Sequence, residues 1–349
     1  MKKIALFLSV ALSLSSCGTF LLHDSFRGGD WFYLENKSAV MPVWVTGNIE
    51  PKVFIIWIHG GPGGTSIVGS AMDVFEELQK DYAFVWWDQR GSGQSQGNAR
   101  PDSLSLEQFV ADLEMLVALI RHKYDDPTLF LMGHSWGGTL SAAFLSKPEN
   151  QAGISGWISI AGAHSPLDAK PLSVEWVVQR AAGQIASGLD AAYWSGELVW
   201  YGGNPSLVDV SDALRHSGNV RKLNGFIHEP SNAPALSFPL LLFASSHSLA
   251  TILNANSVER HLWPRIAGLD LHPRMRGIKT PSLILGGRHD GIVPFQIAEM
   301  GHGSLGADPA HKFLHIFEDS AHSPPWEEPE LFSRLVSEFV ERHRANAQE

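Results

Sequence analysis

Gly133-His134-Ser135-Trp136-Gly137 follows the apolar run "TLFLM" and precedes a segment with the composition of a glycine- and alanine-containing helix. A serine held on a sharp strand-to-helix turn needs Gly133 and Gly137 beside it, because side chains there would collide with the adjoining strand and helix. Its hydroxyl then projects from the sheet edge. The helix N-terminus behind it offers an N–H and a favourable dipole to a developing oxyanion. The chemistry this suits is attack on a carbonyl carbon, which a hydroxyl achieves only when a base takes its proton and an acid orients that base. On turns of this kind the chain order is serine, then Asp or Glu, then His. Asp290 follows "SLILGGRH" and His322 follows "FLHIFEDSA", so both stand at the ends of late apolar runs in the required order. Asp319 is too close to His322 in sequence to approach it from another loop, and His289 precedes Asp290 on the wrong strand end. The expected triad is Ser135, Asp290 and His322.

"HGGPGG", His59 to Gly64, ends an early apolar run where a second oxyanion donor is needed. Glycines let a backbone N–H approach a substrate oxygen without a side chain intervening. The expected donors are the N–H groups of Trp136 and Gly61, with Gly60 as the alternative. His59 stands at the strand end, where structural hydrogen bonds are expected of it. A phosphate-cradling loop would need Lys-Ser/Thr after the glycines, and none follows.

These residues require a scaffold of buried strands with helices between them. "KVFIIWIHGG", "YAFVWWDQRG", "TLFLMGHS", "GWISIAGA", "TPSLILGGRHD" and "HKFLHIFEDSAH" read as strands that end in glycine or polar residues. Earlier, "DWFYLEN" and "MPVWVTG" read as two short strands. "SLEQFVADLEMLVALIRHKY" is the clearest helix: Ser105 and Gln108 form a capping box, and Phe109, Leu113, Leu116, Val117 and Ile120 form one stripe. Helices are also expected over "SAMDVFEELQKD", near Phe295 to Met300, and from Pro329 onward. The alternation predicts an α/β fold with a mostly parallel sheet covered on both faces. Between Pro166 and His272 the rhythm gives way to amphipathic pieces, which predicts a helical insertion. The expected organisation is a core over 30–165 and 273–349, interrupted by a helical cap over 166–272.

"HGGPGG", "DQRGSGQS" (Asp88 to Ser95) and "GHSWGG", in that order, resemble the proline iminopeptidase branch of the α/β-hydrolase superfamily. The resemblance covers roughly 50–165 with specific motifs and 275–325 with looser ones. It implies the α/β-hydrolase fold, a serine hydrolase with the triad above, a helical cap over the site, and no cofactor or metal. Asp88 and Arg90 would brace the loops beside the nucleophile. Family members place cap glutamates near a W-x-x-W-E pattern to bind the free amino end of a peptide. This chain has "YWSGELVWYGG" instead, with Glu197 as the possible amine anchor and Glu175, Glu229 and Glu259 as alternatives. Trp176, Trp194 and Trp263 are candidates for an apolar pocket wall. The resemblance favours an aminopeptidase of proline iminopeptidase type over a carboxylesterase or lactonase acting on small acyl substrates. Epoxide hydrolases and haloalkane dehalogenases carry an aspartate at the elbow, and Ser135 argues against both. A non-catalytic lipoprotein using the cap as a binding surface would need none of this constellation.

The net charge of −10 gives no reason to expect a polyanionic partner, so nucleic acid is excluded. Residues 1–17 join a basic start at Lys2 and Lys3 to an apolar stretch, Ile4 to Leu14, too short to span a bilayer, as in an export signal. Leu14-Ser15-Ser16-Cys17 resembles the lipobox of bacterial lipoproteins, and Cys17 is the only cysteine. The expectation is a chain lipidated at Cys17, tethered through 18–29 to the cell envelope, at the outer membrane rather than the inner one. With Cys17 so used, the folded part has no disulfide, thiolate nucleophile or cysteine metal site.

Overall fold

The computed structural model describes residues 29–70, 72–97, 100–229 and 257–344. The expected export segment, Cys17 and nearly all of the tether lie outside the described residues. No helix among the described residues is long and apolar enough to cross a membrane. The sheet is built from β1 (Asp30–Asn36), β2 (Ala39–Gly47), β3 (Val53–Ile58), β4 (Ala83–Trp87), β5 (Gln96–Gly97), β6 (Thr128–His134), β7 (Ile154–Ile160), β8 (Ser282–Gly287) and β9 (Lys312–Phe317). Eight strands run in the order β1-β2-β4-β3-β6-β7-β8-β9, and the two-residue β5 pairs with β2. The β1–β2, β2–β4 and β2–β5 pairs are antiparallel, and every pair from β4 across to β9 is parallel. This is the α/β-hydrolase architecture. Too short for an apolar run, β5 has no period by which to be read from sequence.

Alternate residues of β3 divide between two cores. Phe54, Ile56 and Ile58 pack with the helices Leu106–Lys123 and Trp136–Leu145 on one face. Val53, Ile55 and Trp57 pack with Asp73–Leu78 and Pro329–Arg344 on the other. All six residues of β3 are buried, as a central parallel strand requires. The segment read as one helix from Ser70 is helical only over Asp73–Leu78. A short helix Ser66–Ser70 precedes Asp73–Leu78, and Met72 takes an extended conformation as N-cap of the second. Ser105 caps Leu106–Lys123 by accepting from Gln108 N, 3.3 Å. The Gln108 side chain turns away to Lys37 and Asp112, so only half of the capping box forms.

Between β7 and β8 the described elements are the helices Pro166–Ala186, Ala191–Gly202, Val210–Lys222, Ser257–Ile266 and His272–Met275. The first three share a small core of Val177, Ala181, Trp194, Tyr201 and Val220. That core accounts for Trp194, which is fully buried there.

The chain leaves β3 for β4 on one side and later returns to β3's other side with β6. The carboxyl ends of β3 and β6 thus flank the point where strand order reverses, the crevice in which open α/β sheets bind ligands. His59–Gly64 and Ser135 stand at those two ends.

Candidate active site

Ser135 has φ 56° and ψ −116°, a strained left-handed position at the N-cap of Trp136–Leu145. Its N–H is fixed by Ile160 O at 2.9 Å. A methyl group on Gly133 would lie 2.4 Å from Gly137 O, and one on Gly137 would lie 1.8 Å from Ile58 O. Backbone is the obstacle in both cases, so the elbow admits no larger residue. Gly137→Ala should therefore cost more than about 4 kcal/mol, the range reserved for severe steric faults. A thermal melt checks this, and a melting temperature within a few degrees of the wild type would contradict it.

Asp290 and His322 meet in the structure. His322 Nδ1 lies 2.7 Å from Asp290 Oδ2, and both residues are buried. The other carboxylate oxygen accepts from Ile292 N and Val293 N, each at 2.8 Å, which fixes the orientation of the acid. A carboxylate only accepts, so Nδ1 of His322 is the donor, and in the neutral imidazole that leaves Nε2 as the acceptor. His322 and Ser135 line one cavity of about 650 Å³. No hydrogen bond joins them among the described residues. Catalytic hydrogen bonds are often long before substrate binds.

Several residues with no signal of their own in the sequence hold this pair in place. His134 Nε2 lies 2.8 Å from His322 O, and burial followed by the neighbouring His322 drives its pKa down to about 3. It is therefore a neutral N–H donor to the backbone of His322. Glu327 accepts from Ala321 N at 2.9 Å, Ser323 N at 3.3 Å and His228 N, clasping the loop that carries His322. Phe226 O accepts from His322 N at 3.2 Å.

The glycine loop comes closest through Gly60. A methyl group there would lie 3.2 Å from Ser135 Cβ. Gly61, at φ 123°, lines the same cavity, and Trp136 N–H is the first, unpaired donor of its helix. His59 Nε2 accepts from Gln89 N at 3.1 Å, so its proton sits on Nδ1, 2.9 Å from Gly60 O. Burial lowers its pKa to about 4, which leaves it neutral and structural. Gln89 is the clip between the two loops: its amide donates to His59 O at 3.0 Å and accepts from Trp136 Nε1 at 2.8 Å. Asp88 takes Ser66 N at 2.6 Å and Gln94 N at 2.8 Å, and burial raises its pKa to about 6. Arg90 forms a fully buried two-pronged pair with Asp112 at 2.6 and 2.7 Å. Removing either partner would leave an uncompensated buried charge.

Glu197 does not reach the cavity, and its expected role as amine anchor is corrected. Its carboxylate is taken by Arg215 at 2.8 and 3.0 Å and by Asn219 at 2.6 Å. From Asn219 the chain of hydrogen bonds continues through Tyr201 (3.3 Å) to His216 Nδ1 (2.8 Å) and from His216 Nε2 to Ser173 (2.7 Å). Ser173 donates to Gly291 O, next to Asp290. With that proton committed, His216 must donate from Nε2 and accept from Tyr201, so it is neutral, and burial places its pKa near 4. Glu197 thus belongs to a brace between the inserted helices and the acid's loop. The carboxylate in the cavity wall is Glu259, with burial raising its pKa and Arg221 opposing the rise. Trp263 lines the cavity too, whereas Trp176 carries Arg180 on its ring, 4.0 Å from the centroid. Asp168, Asp270 and His272 come together elsewhere, with His272 Nδ1 3.2 and 3.7 Å from the two acids. These are ion-pairing distances.

Residues 53–329 match the family model described as alpha/beta hydrolase fold. A Bacillus subtilis (strain 168) protein described as "Probable aminopeptidase YbaC" is 26% identical over 326 residues, which cover 88% of this chain and 99% of that one. The proline iminopeptidase of Heyndrickxia coagulans is 28% identical over 291 residues, covering 82% and 90%. Among solved structures, that of the Mycobacterium smegmatis proline iminopeptidase superposes with a TM-score of 0.64 at 18% identity, covering 91% of this chain and all of the other. At that identity the likeness is one of fold.

Proposed function

We propose, on the premise that this chain belongs to the α/β-hydrolase fold family, that it is a serine hydrolase whose nucleophile is Ser135. The observation that carries the reading is the buried 2.7 Å contact of Asp290 with His322, facing one cavity with a serine on a left-handed elbow. His322 Nε2 takes the proton as Ser135 Oγ attacks a carbonyl carbon, and the resulting oxyanion falls to the N–H groups at Trp136 and the glycine loop. The tetrahedral intermediate collapses as His322 returns the proton to the leaving group. Water, activated by the same imidazole, then releases the acyl group from Ser135. No cofactor enters this sequence.

Within that class, an aminopeptidase of proline iminopeptidase type is favoured over an esterase or lactonase. Glu259 supports this, because a carboxylate partly buried in the cavity wall suits a substrate ammonium. Fluorogenic prolyl and alanyl amides with free and with acetylated amino groups test it. Acetylation should cut kcat/KM by about tenfold to a hundredfold, the worth of one charge-assisted contact. Equal rates would overturn the aminopeptidase reading, and faster turnover of short acyl esters would put the esterase in its place.

A further inference from the structure

Two opposite charges face the cavity without pairing. Arg221 and Glu259 both line it and lie near enough for each to act on the other's ionisation. They form no ion pair with each other, and neither has another ionic partner among the described residues. Lys170, also in the wall, is a second cation without an ionic partner among the described residues.

Their positions relative to the reacting atoms differ. The Arg221 guanidinium sits over the Phe226 ring, 3.7 Å from its centroid, and that ring is 5.4 Å from the His322 ring, centroid to centroid. Arg221 therefore belongs to the imidazole side of the site. Glu259 lies at the start of the helix Ser257–Ile266, which packs on the glycine loop. A methyl group on Gly63 would be 3.4 Å from Val258 Cβ and 3.9 Å from Glu259 N. Glu259 therefore belongs to the side where the acyl oxygen is held. In acyl transfer the leaving group must lie where the imidazole can protonate it, and the acyl oxygen where backbone N–H groups can reach it. A cation on the first side and an anion on the second match a substrate with a negative leaving group and a positive acyl part.

We propose that Arg221 anchors a carboxylate on the leaving group, so that the preferred substrate is a short peptide with both termini free. Its ammonium lies at Glu259 and its carboxylate at Arg221. A guanidinium is suited to this because its planar fork meets both carboxylate oxygens. The inference rests on the serine-hydrolase reading above, and it would make the enzyme one that finishes peptide breakdown rather than one that trims long chains.

The test compares a free dipeptide with its C-terminal amide, the amino end free in both, using wild type, Arg221→Gln and Arg221→Lys. In parallel, acetyl esters of 4-hydroxybenzoate and 4-hydroxybenzamide give the same comparison without a peptide. Each kcat/KM is read as the ratio of carboxylate to amide substrate, so intrinsic reactivity cancels between proteins. The expected ratio falls about tenfold to a hundredfold in Arg221→Gln and recovers in part in Arg221→Lys. A ratio equal in wild type and Arg221→Gln, in whichever substrate pair is turned over, overturns the anchor and leaves the hydrolase reading intact. Absence of all hydrolysis together with absence of fluorophosphonate labelling overturns both.

Discussion

Ser135→Ala is expected to lower kcat by roughly 10⁴- to 10⁶-fold on every substrate and to abolish labelling by a fluorophosphonate, with the melting temperature close to that of wild type. The size follows from the residue's place: without Oγ no acyl-enzyme forms, and only binding and the oxyanion donors remain to speed attack by water. The intact fold follows from the contacts. Ser135 is held through its backbone, N–H to Ile160 O at 2.9 Å and carbonyl to Gly138 N at 2.9 Å, and alanine keeps both. Its hydroxyl makes no hydrogen bond among the described residues, so none is lost. Labelling that survives in the variant would sink the assignment and point to another serine of the cavity wall, Ser173 or Ser217.

Asp290→Asn is expected to cost about 10⁴ in kcat, far more than the removal of one charge would suggest. The surroundings decide which way the amide must face. Ile292 N and Val293 N both donate to Oδ1, so the asparagine oxygen has to remain there and the NH₂ group must face His322 Nδ1. A donor at that position drives the imidazole proton from Nδ1 to Nε2, the nitrogen that has to accept from Ser135. The base is then present, correctly oriented and in the wrong tautomer. Steady-state rates across pH 5–9 read the result. A loss of less than tenfold would mean that Asp290 is not the orienting acid.

Most of the sheet was legible because buried parallel strands are short apolar runs ending in glycine or polar residues, and β3, β4, β6, β7, β8 and β9 all have that form. The elbow was legible for a related reason. Gly133 is constrained inside the turn itself, by Gly137 O, whereas the limit on Gly137 comes from Ile58 O at the end of the neighbouring strand, which the short motif stands in for. The bracing residues were not legible. Gln89 joins His59 to Trp136, and Glu327 ties His228 to the loop of His322, across 30 to 99 residues of chain. Nothing in the type or spacing of a glutamine or a glutamate specifies such partners.

The inserted helices show the same division more sharply. Their amphipathic spacing predicts that they are helices and that one face is buried. It does not say what the buried face meets. Glu197 stood beside tryptophans, without the W-x-x-W-E arrangement, and Arg215 and Asn219, 18 and 22 residues later, claim its carboxylate. Glu259 had no motif around it and lines the cavity. The sequence by itself determined most of the scaffold, the elbow and the placing of Asp290 and His322 after late strands, because these depend on apolar runs and on residues that recur at strand ends. Only the tertiary structure decided which charges face the cavity, because that depends on the rotation and docking of helices, and helical periodicity leaves both open.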